Sequence, residues 1–173
     1  YKRQVLLEMS ELRSVPCEDD VELGPLSEEV LTDLAPLAEN KGIALNCAGD
    51  ALVIGSDTLL YRLVFNLVEN AIHYSRPGST VNVSICDNDS HVFLRVEDQG
   101  PGIPKQYRES IFQPFFRLDK SRSRAYGGAG LGLALVWEIA ALHGGAVEVE
   151  ASSESGATML VSLPKRSVAL TEQ

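Results

Sequence analysis

Two asparagines four residues apart, Asn66 and Asn70, give the chain a pair of closely spaced amide groups. His73 follows three residues later, and at 100° per residue on a helix the three side chains fall within about 60° of arc. Asparagine is a poor helix former, so this pattern is slightly disfavoured in a plain helix. It fits a solvated helix face, the common place for polar residues. It also fits two amide oxygens that face a hard cation such as Mg²⁺.

The stretch VEDQGPGIP, residues 96–104, places an acidic side chain beside two glycines. The alternating residues before it predict a strand that delivers Asp98 to its end, and Gly100 and Gly102 let the backbone turn there. A carboxylate in this place can accept a hydrogen bond from an exocyclic amine, while the glycines leave room for a flat ring. A simple Asp-Gly turn after a strand explains the same residues. The motif alone does not decide between these two interpretations.

A long stretch without periodicity, residues 99–128, carries aromatic residues followed by cations. Phe112, Phe115 and Phe116 are three of the five phenylalanines in the chain. They can hold a mobile lid on the domain by apolar burial, or they can form a satellite cluster under a loop. The cations that follow either solvate the loop or meet polyphosphate. They are Arg117, Lys120, Arg122 and Arg124.

The segment GGAGLGLALV, residues 127–136, contains four glycines and runs directly into an apolar stretch. A glycine-rich segment at a helix N-terminus offers unpaired N–H groups and the positive end of the helix dipole, a combination that binds phosphate. It is not a Walker A loop, because no GK[ST] follows, and no βαβ unit surrounds it as in a dinucleotide fingerprint. Near the last strand, Thr158 could reach a base through water, although a strand threonine needs no such role.

Periodicity and turn residues predict the elements that position these motifs. Helices are expected over residues 25–42, 57–74 and 130–143, with Ser56 or Asp57 capping the second and Pro36 kinking or dividing the first. The runs IALNC and ALVIG predict two short strands around a turn at Gly49–Asp50. Residues 80–86 and 91–96 predict a hairpin, and residues 146–151 and 157–163 the closing strands. This order favours an α+β fold in which a mixed, mostly antiparallel sheet packs helices on one face.

Composition limits the class of protein. The 173 residues are 45% hydrophobic, enough for one domain with a core. The net charge of −9 argues against a surface that binds nucleic acid or anionic lipid. The cysteines, Cys17, Cys47 and Cys86, are scattered, which favours a reducing compartment over a disulfide framework or a zinc site. Because the chain starts at Tyr1 without Met, we expect it to be part of a longer protein.

The motifs occur in an order that resembles one protein family. The stretches NLVENAIHYS, DQGPGI, FQPFFR and GGAGLGLAL resemble the N, G1, F and G2 boxes of bacterial two-component sensor histidine kinases, over about residues 20–164. The resemblance implies a GHKL ATPase with the two-layer α/β sandwich called the Bergerat fold, three main helices on one face and a long ATP lid. It also implies three parts: the end of an upstream dimerisation helix or linker (1–14), an ATP-binding catalytic domain (15–165) and a flexible tail (166–173).

The same resemblance implies ATP and Mg²⁺ as ligands and a role for each motif residue. Asn70, supported by Asn66, would bind Mg²⁺ bridging the phosphates, and Asp98 would accept from the adenine N6 amine. His73 and Tyr74 would flank the phosphates and the base. Residues expected to contact the nucleotide around Asp98 are Gly100, Gly102, Ile103 and Thr158. In the lid, Arg117 and Arg122 would approach the γ-phosphate and join the two asparagines as catalytic residues. The triphosphate and the lid hinge would use Gly128, Gly130, Leu131 and Gly132.

The function implied is donation of the ATP γ-phosphate to a histidine on a separate dimerisation domain, for relay to a response-regulator aspartate. The histidines of this chain, His73, His91 and His143, lack the sequence context of that acceptor. The implied parent is a membrane-anchored homodimer with this domain at the cytoplasmic face of the inner membrane. No nucleic-acid partner is expected.

Other classes stay open from the sequence. Another GHKL ATPase would hydrolyse ATP with a carboxylate one turn before the metal-binding asparagine. That position is Asn66 here, which cannot act as a base, and Glu69 points about 100° away from Asn70. A serine kinase acting on an anti-sigma antagonist is related, but the phenylalanine-rich lid argues against it. A binding module without catalysis, serving only dimer contacts, is the remaining alternative.

Overall fold

A computed structural model of the chain describes residues 11–12, 15–116 and 132–165. In chain order the elements are β1 (Asp19–Glu22), α1 (Leu23–Lys41), β2 (Ala44–Ala48), β3 (Leu52–Gly55), α2 (Asp57–Tyr74), β4 (Thr80–Asp87), β5 (His91–Glu97), α3 (Gly132–Leu142), β6 (Ala146–Ser153) and β7 (Gly156–Pro164). Two 3₁₀ turns, Lys105–Tyr107 and Ser110–Phe112, lie between β5 and α3. Within these ranges no helix has both the length and the apolar character needed to cross a bilayer.

The main sheet has five strands in the order β2-β4-β5-β7-β6. Its β2–β4 pair is parallel and its other pairs are antiparallel, as the predicted mixed sheet requires. One face is buried, because alternate residues such as Val83 on β4 and Leu94 on β5 are almost fully enclosed. The three helices cover this face, and α2 packs against both of the others. The expected two-layer α/β arrangement and the β4–β5 hairpin are confirmed.

The two strands predicted around Gly49–Asp50 form, but they belong to different sheets. β2 pairs with β4, whereas β3 pairs with β1 in a separate two-stranded sheet. Gly49, at φ +89°, lies so close to β4 that a Cβ there would be 2.0 Å from the Ile85 carbonyl oxygen. The Asp50 carboxylate then accepts the Gly24 N–H at 2.7 Å. The turn therefore supports the start of α1 instead of joining paired strands.

α1 continues through Pro36 without a break and ends at Gly42, whose φ of +74° is the left-handed conformation typical of a helix end. The last-turn residue Lys41 reaches across to the end of α2. Its Nζ donates to the Ile72 carbonyl at 2.9 Å and also to the His73 carbonyl. A cation at a helix C-terminus is favoured by the helix dipole, so this contact stabilises α2 where it approaches the sheet edge.

α2 is the central helix and begins as predicted at the Ser56 cap, whose Oγ accepts the Leu59 N–H at 3.2 Å. Its apolar stripe, which includes Leu60, Leu67 and Ala71, is buried in the core. That stripe fixes the rotation of the helix. The two asparagines consequently lie off the core face and are only partly buried.

Candidate functional site

Asp98 is the most enclosed charged residue of the described chain, with 8% of its surface exposed. It follows β5 directly and continues the buried alternation of Val92, Leu94 and Val96. Its Oδ1 accepts the Gly100 N–H at 3.0 Å and the Ala157 N–H at 3.1 Å. Two backbone donors on one oxygen fix the carboxylate and direct the other oxygen away from them.

Competing effects act on the pKa of this carboxyl group. Burial is the largest and raises the pKa of Asp98 above its ordinary value, because desolvation disfavours the charged form. The hydrogen bonds from Gly100 and Ala157 lower it, and the charge of Glu97 raises it again. The fold thus holds a carboxylate in a place that costs solvation, which is common at functional sites.

The turn that carries Asp98 is bound to the C-terminal end of α2. The Gln99 N–H donates to Ser75 Oγ at 3.3 Å, and the Gln99 carbonyl accepts the Arg76 N–H at 3.4 Å. A Cβ on Gly100 would lie 2.4 Å from the Tyr74 carbonyl oxygen. The Asp98 turn and the end of α2 therefore form one unit, and Asn70 lies one helical turn before this junction.

The same turn also contacts the β6–β7 hairpin. The Ile103 N–H donates to Ser152 Oγ at 2.7 Å. Gly102, at φ +80°, would place a Cβ 2.0 Å from the Ser153 carbonyl oxygen. Gly156 approaches the Asp98 carbonyl oxygen equally closely. Close backbone contacts within the protein thus require these glycines, so the motif does more than reverse the chain.

Asn66 lies beside the N-terminus of α3. Its Cβ, Cγ and Oδ1 are 3.9 to 4.0 Å from the position a Cβ of Gly132 would occupy. Its Nδ2 is buried and has no hydrogen-bond partner in the described part of the chain. A buried donor without an acceptor is costly. Because the first N–H groups of a helix also lack intrahelical partners, this corner fits an oxygen-rich anion.

His73 and Tyr74 are the last two residues of α2, and both are partly buried. Burial is the main cause that lowers the pKa of His73, the Lys41 charge lowers it further, and the Glu69 carboxylate raises it. The net effect favours a neutral imidazole. The structure thus brings these two residues together with Asn70 and the Asp98 turn at one end of the sheet.

Thr158 is not brought to the same place as Asp98. It pairs with Glu97 across the β5–β7 ladder, and its neighbour Ala157 donates its N–H to Asp98. Successive side chains of a strand point to opposite faces, so Thr158 stands on the face away from the helices and from the Asp98 side chain. The small Ala157 occupies the position that faces the site.

The aromatic part of the long loop is anchored on the core. Phe112 is buried and packs against Trp137 of α3 with ring centroids 5.4 Å apart, and Phe116 packs against Tyr107 at 5.8 Å. Phe112 belongs to the main hydrophobic cluster, not to a satellite cluster. The remaining predicted loop residues lie outside the described residues: Arg117, Arg122, Gly128, Gly130 and Leu131.

Sequence reasoning missed four residues that hold the Asp98 turn: Ser75, Ser152, Gly156 in its contact with Asp98, and the N–H of Ala157. A helix-ending serine before a proline-glycine pair gave a weak signal for Ser75. Ser152 and Ala157 gave none, because their roles depend on the register between β6, β7 and the turn.

The candidate metal ligands of this site are the side-chain amide oxygens of Asn66 and Asn70. In the described ranges no group of three or more His, Cys, Asp and Glu residues could hold a metal ion. Mg²⁺ commonly takes only one or two protein oxygens, with water and phosphate oxygens completing its octahedron. The amides of Asn66 and Asn70, beside the corner that fits an anion, satisfy that donor chemistry.

Comparison with known proteins places these features in a family. The family model described as "Histidine kinase-, DNA gyrase B-, and HSP90-like ATPase" matches residues 55–167. The sensor-like histidine kinase SenX3 of Mycobacterium tuberculosis is 37% identical over 164 residues, covering 92% of this chain and 40% of that protein. The chain thus spans less than half the length of this curated relative.

Solved structures give the same picture. The mycobacterial sensor histidine kinase MprB is 32% identical, with a TM-score of 0.73, covering 86% of this chain and 98% of that chain. Full-length ShkA in complex with AMPPNP is 26% identical, with a TM-score of 0.76, covering 92% of this chain and 34% of that chain.

Proposed function

The chain belongs to the family of histidine kinase-, DNA gyrase B- and HSP90-like ATPases, and on that premise we propose that it is the catalytic domain of a sensor histidine kinase. It would bind Mg-ATP and donate the γ-phosphate to a histidine on a separate dimerisation domain, for relay to an aspartate of a response regulator. The resemblance of the motif order to that family and the likeness to SenX3 and MprB support this assignment.

The single observation that carries the proposal is the enclosed Asp98 carboxylate. Its Oδ1 is committed to the N–H groups of Gly100 and Ala157, which leaves Oδ2 to accept from a ligand. An exocyclic amine is the matching donor, and adenine carries one. The cost of burying this charge is then offset when the ligand is bound.

The phosphate end of the nucleotide would lie toward α2 and α3. Asn70 and Asn66 would hold Mg²⁺ through their amide oxygens, and the orphaned Nδ2 of Asn66 could instead meet a phosphate oxygen. The N-terminus of α3 at Gly132 adds the positive end of a helix dipole. When bound, Mg²⁺ supplies neutralisation of phosphate charge, and the chain supplies position, which is most of what phosphoryl transfer requires.

The remaining predicted roles belong to the same proposal. Gly102 and Ile103 would shape the adenine pocket from the turn that Ser152 holds. His73 and Tyr74 would flank the nucleotide from the end of α2. Arg117 and Arg122, with the lid glycines, stay predictions from the motifs. The parent would be a membrane-anchored homodimer with this domain in the cytoplasm.

Transfer of γ-labelled phosphate tests the proposed function. The chain alone should bind ATP and acquire little label, whereas adding the histidine-bearing helical segment of its own parent should give an acid-labile phosphohistidine on that segment. Strong labelling of His73, His91 or His143 in the isolated chain would contradict the acceptor assignment.

The rival ATPase function predicts a different result in the same samples. Rapid ATP hydrolysis by the isolated chain, lost in Glu69→Ala, would indicate an ATPase that works through conformational change. Glu148→Ala, which removes an exposed carboxylate on β6, is the matched control for the loss of a charge. We expect slow ATP hydrolysis in the unsubstituted chain and in both variants.

A further inference from the structure

The buried side chain of His143 joins α3 to the start of α2. It follows the last residue of α3 and is 2% exposed. Its Nδ1 lies 2.7 Å from the Ile139 carbonyl oxygen, and its Nε2 accepts the Ser56 backbone N–H at 3.0 Å. A carbonyl can only accept and a backbone N–H can only donate, so Nδ1 carries the proton. Both ring nitrogens are thus used by a neutral imidazole.

The seat of this ring is closely fitted. Gly55 precedes the Ser56 cap, and a Cβ on Gly55 would lie 2.5 Å from the His143 Cδ2 atom and 2.6 Å from its Nε2. Ser56 uses its Oγ to cap α2 through the Leu59 N–H, which leaves its own N–H for the imidazole. Burial lowers the pKa of His143, in agreement with the neutral form that the geometry demands.

α3 therefore touches α2 at both of its ends. At one end Gly132 lies beside the Asn66 side chain, and at the other His143 binds Ser56. The two spans are similar in length: at ~1.5 Å per residue, Gly132 to His143 corresponds to roughly 16.5 Å of helix and Ser56 to Asn66 to roughly 15 Å. A short helix behaves as a rigid rod, so a shift at His143 moves the N-terminus of α3 relative to Asn66.

We propose that His143 is a positioning residue for nucleotide binding, which sets α3 against α2 so that the N-terminus of α3 lies at Asn66. The inference rests on the proposed function, because it assigns the ring a task only if phosphates bind at that corner. His143 contacts no reacting group and acts through the helix it holds.

The test compares nucleotide affinity and helix placement in matched variants of the full 173-residue chain. His143→Leu removes the acceptor, His143→Gln retains an amide oxygen able to accept the Ser56 N–H, and Gly55→Ala displaces the ring without removing it. The control is Ile85→Ala or Ile85→Val on β4, whichever matches the stability loss of His143→Leu. Trp137, the single tryptophan of the chain, lies on α3 and reports its placement by fluorescence.

We expect His143→Leu and Gly55→Ala to weaken binding of AMPPNP with Mg²⁺ by about tenfold, in the usual range for coupling between sites. Trp137 emission should change in both variants. His143→Gln should recover most of the AMPPNP affinity, and the Ile85 control should bind AMPPNP like the unsubstituted chain. Gly55→Ala keeps the test valid if His143→Leu does not fold.

Two results would overturn the positioning role. One is unchanged AMPPNP affinity in His143→Leu and Gly55→Ala while Asp98→Asn still loses binding. The other is an equal loss of AMPPNP affinity in the Ile85 control, which would mean that lower stability of the chain explains the effect. If the unsubstituted chain itself binds no nucleotide, the proposed function fails, and this inference fails with it.

Discussion

Replacing Asp98 by asparagine separates nucleotide recognition from folding. The Oδ1 of Asp98 accepts both backbone N–H groups, from Gly100 and Ala157, and an asparagine can keep its oxygen in that place. The other oxygen becomes an NH₂ donor. Burial raises the pKa of Asp98, which means that the folded protein holds the ionised carboxylate at a cost relative to the unfolded chain. This cost is present wherever the carboxylate is ionised, which is above the folded pKa. At neutral pH, removing this charge should leave the free energy of unfolding unchanged or raise it.

The expected loss of affinity follows from the lost hydrogen bond. A hydrogen bond to a charged group contributes about 1.5–3 kcal/mol, and in Asp98→Asn the adenine amine would face a second donor. At about 1.4 kcal/mol per tenfold, the dissociation constant for ATP should rise roughly 10- to 150-fold. Asp98→Ala is a poorer test, because it leaves two N–H groups of the turn unpaired at about 1–3 kcal/mol each.

Calorimetric titration with Mg-ATP measures the binding loss, and urea denaturation of the same samples measures the stability. Reduced affinity with unchanged or higher stability is the expected combination. Unchanged affinity in Asp98→Asn would refute the adenine assignment. A large fall in stability would refute the view that, of the two Asp98 carboxylate oxygens, only Oδ1 binds the backbone of the turn.

Three further predictions address the fold around the site. A side chain at a positive φ costs about 1–2 kcal/mol, and Gly102→Ala should destabilise the chain by more than this in urea denaturation, because its Cβ would also meet the Ser153 carbonyl oxygen. Gly78→Ala is the control: Gly78 also has a positive φ but lies in open space, so this variant should lose only the backbone penalty. The free energy of unfolding should fall as pH drops below about 6.5, because the lowered pKa of His143 makes the unfolded chain bind a proton more readily than the folded chain. Urea denaturation at about pH 7.5 and about pH 5.5 should give a smaller difference in the free energy of unfolding for His143→Gln than for the unsubstituted chain. Absorbance titration should show that the pKa of Tyr61, whose hydroxyl donates to Asp33, is raised to about 12, and Asp33→Asn should return that pKa toward 10.

Local spacing determined much of this protein. The helix over residues 57–74, its Ser56 cap and the placement of Asn66 and Asn70 off the core stripe follow from a period of 3.6 residues, which every residue of a helix obeys without reference to the rest of the chain. The β4–β5 hairpin follows from alternation and a polar turn. The order of the motifs was enough to indicate the family.

Tertiary structure decided which strands pair and which faces meet. β2 and β3 look like neighbours in the sequence but enter different sheets, because strand pairing is a long-range choice that the turn at Gly49 does not set. The face of Thr158 depends on its register with Glu97, and a one-residue difference reverses every side chain. The bond from His143 to Ser56 joins residues 87 positions apart. Such contacts arise when the core closes, so no local pattern along the chain encodes them.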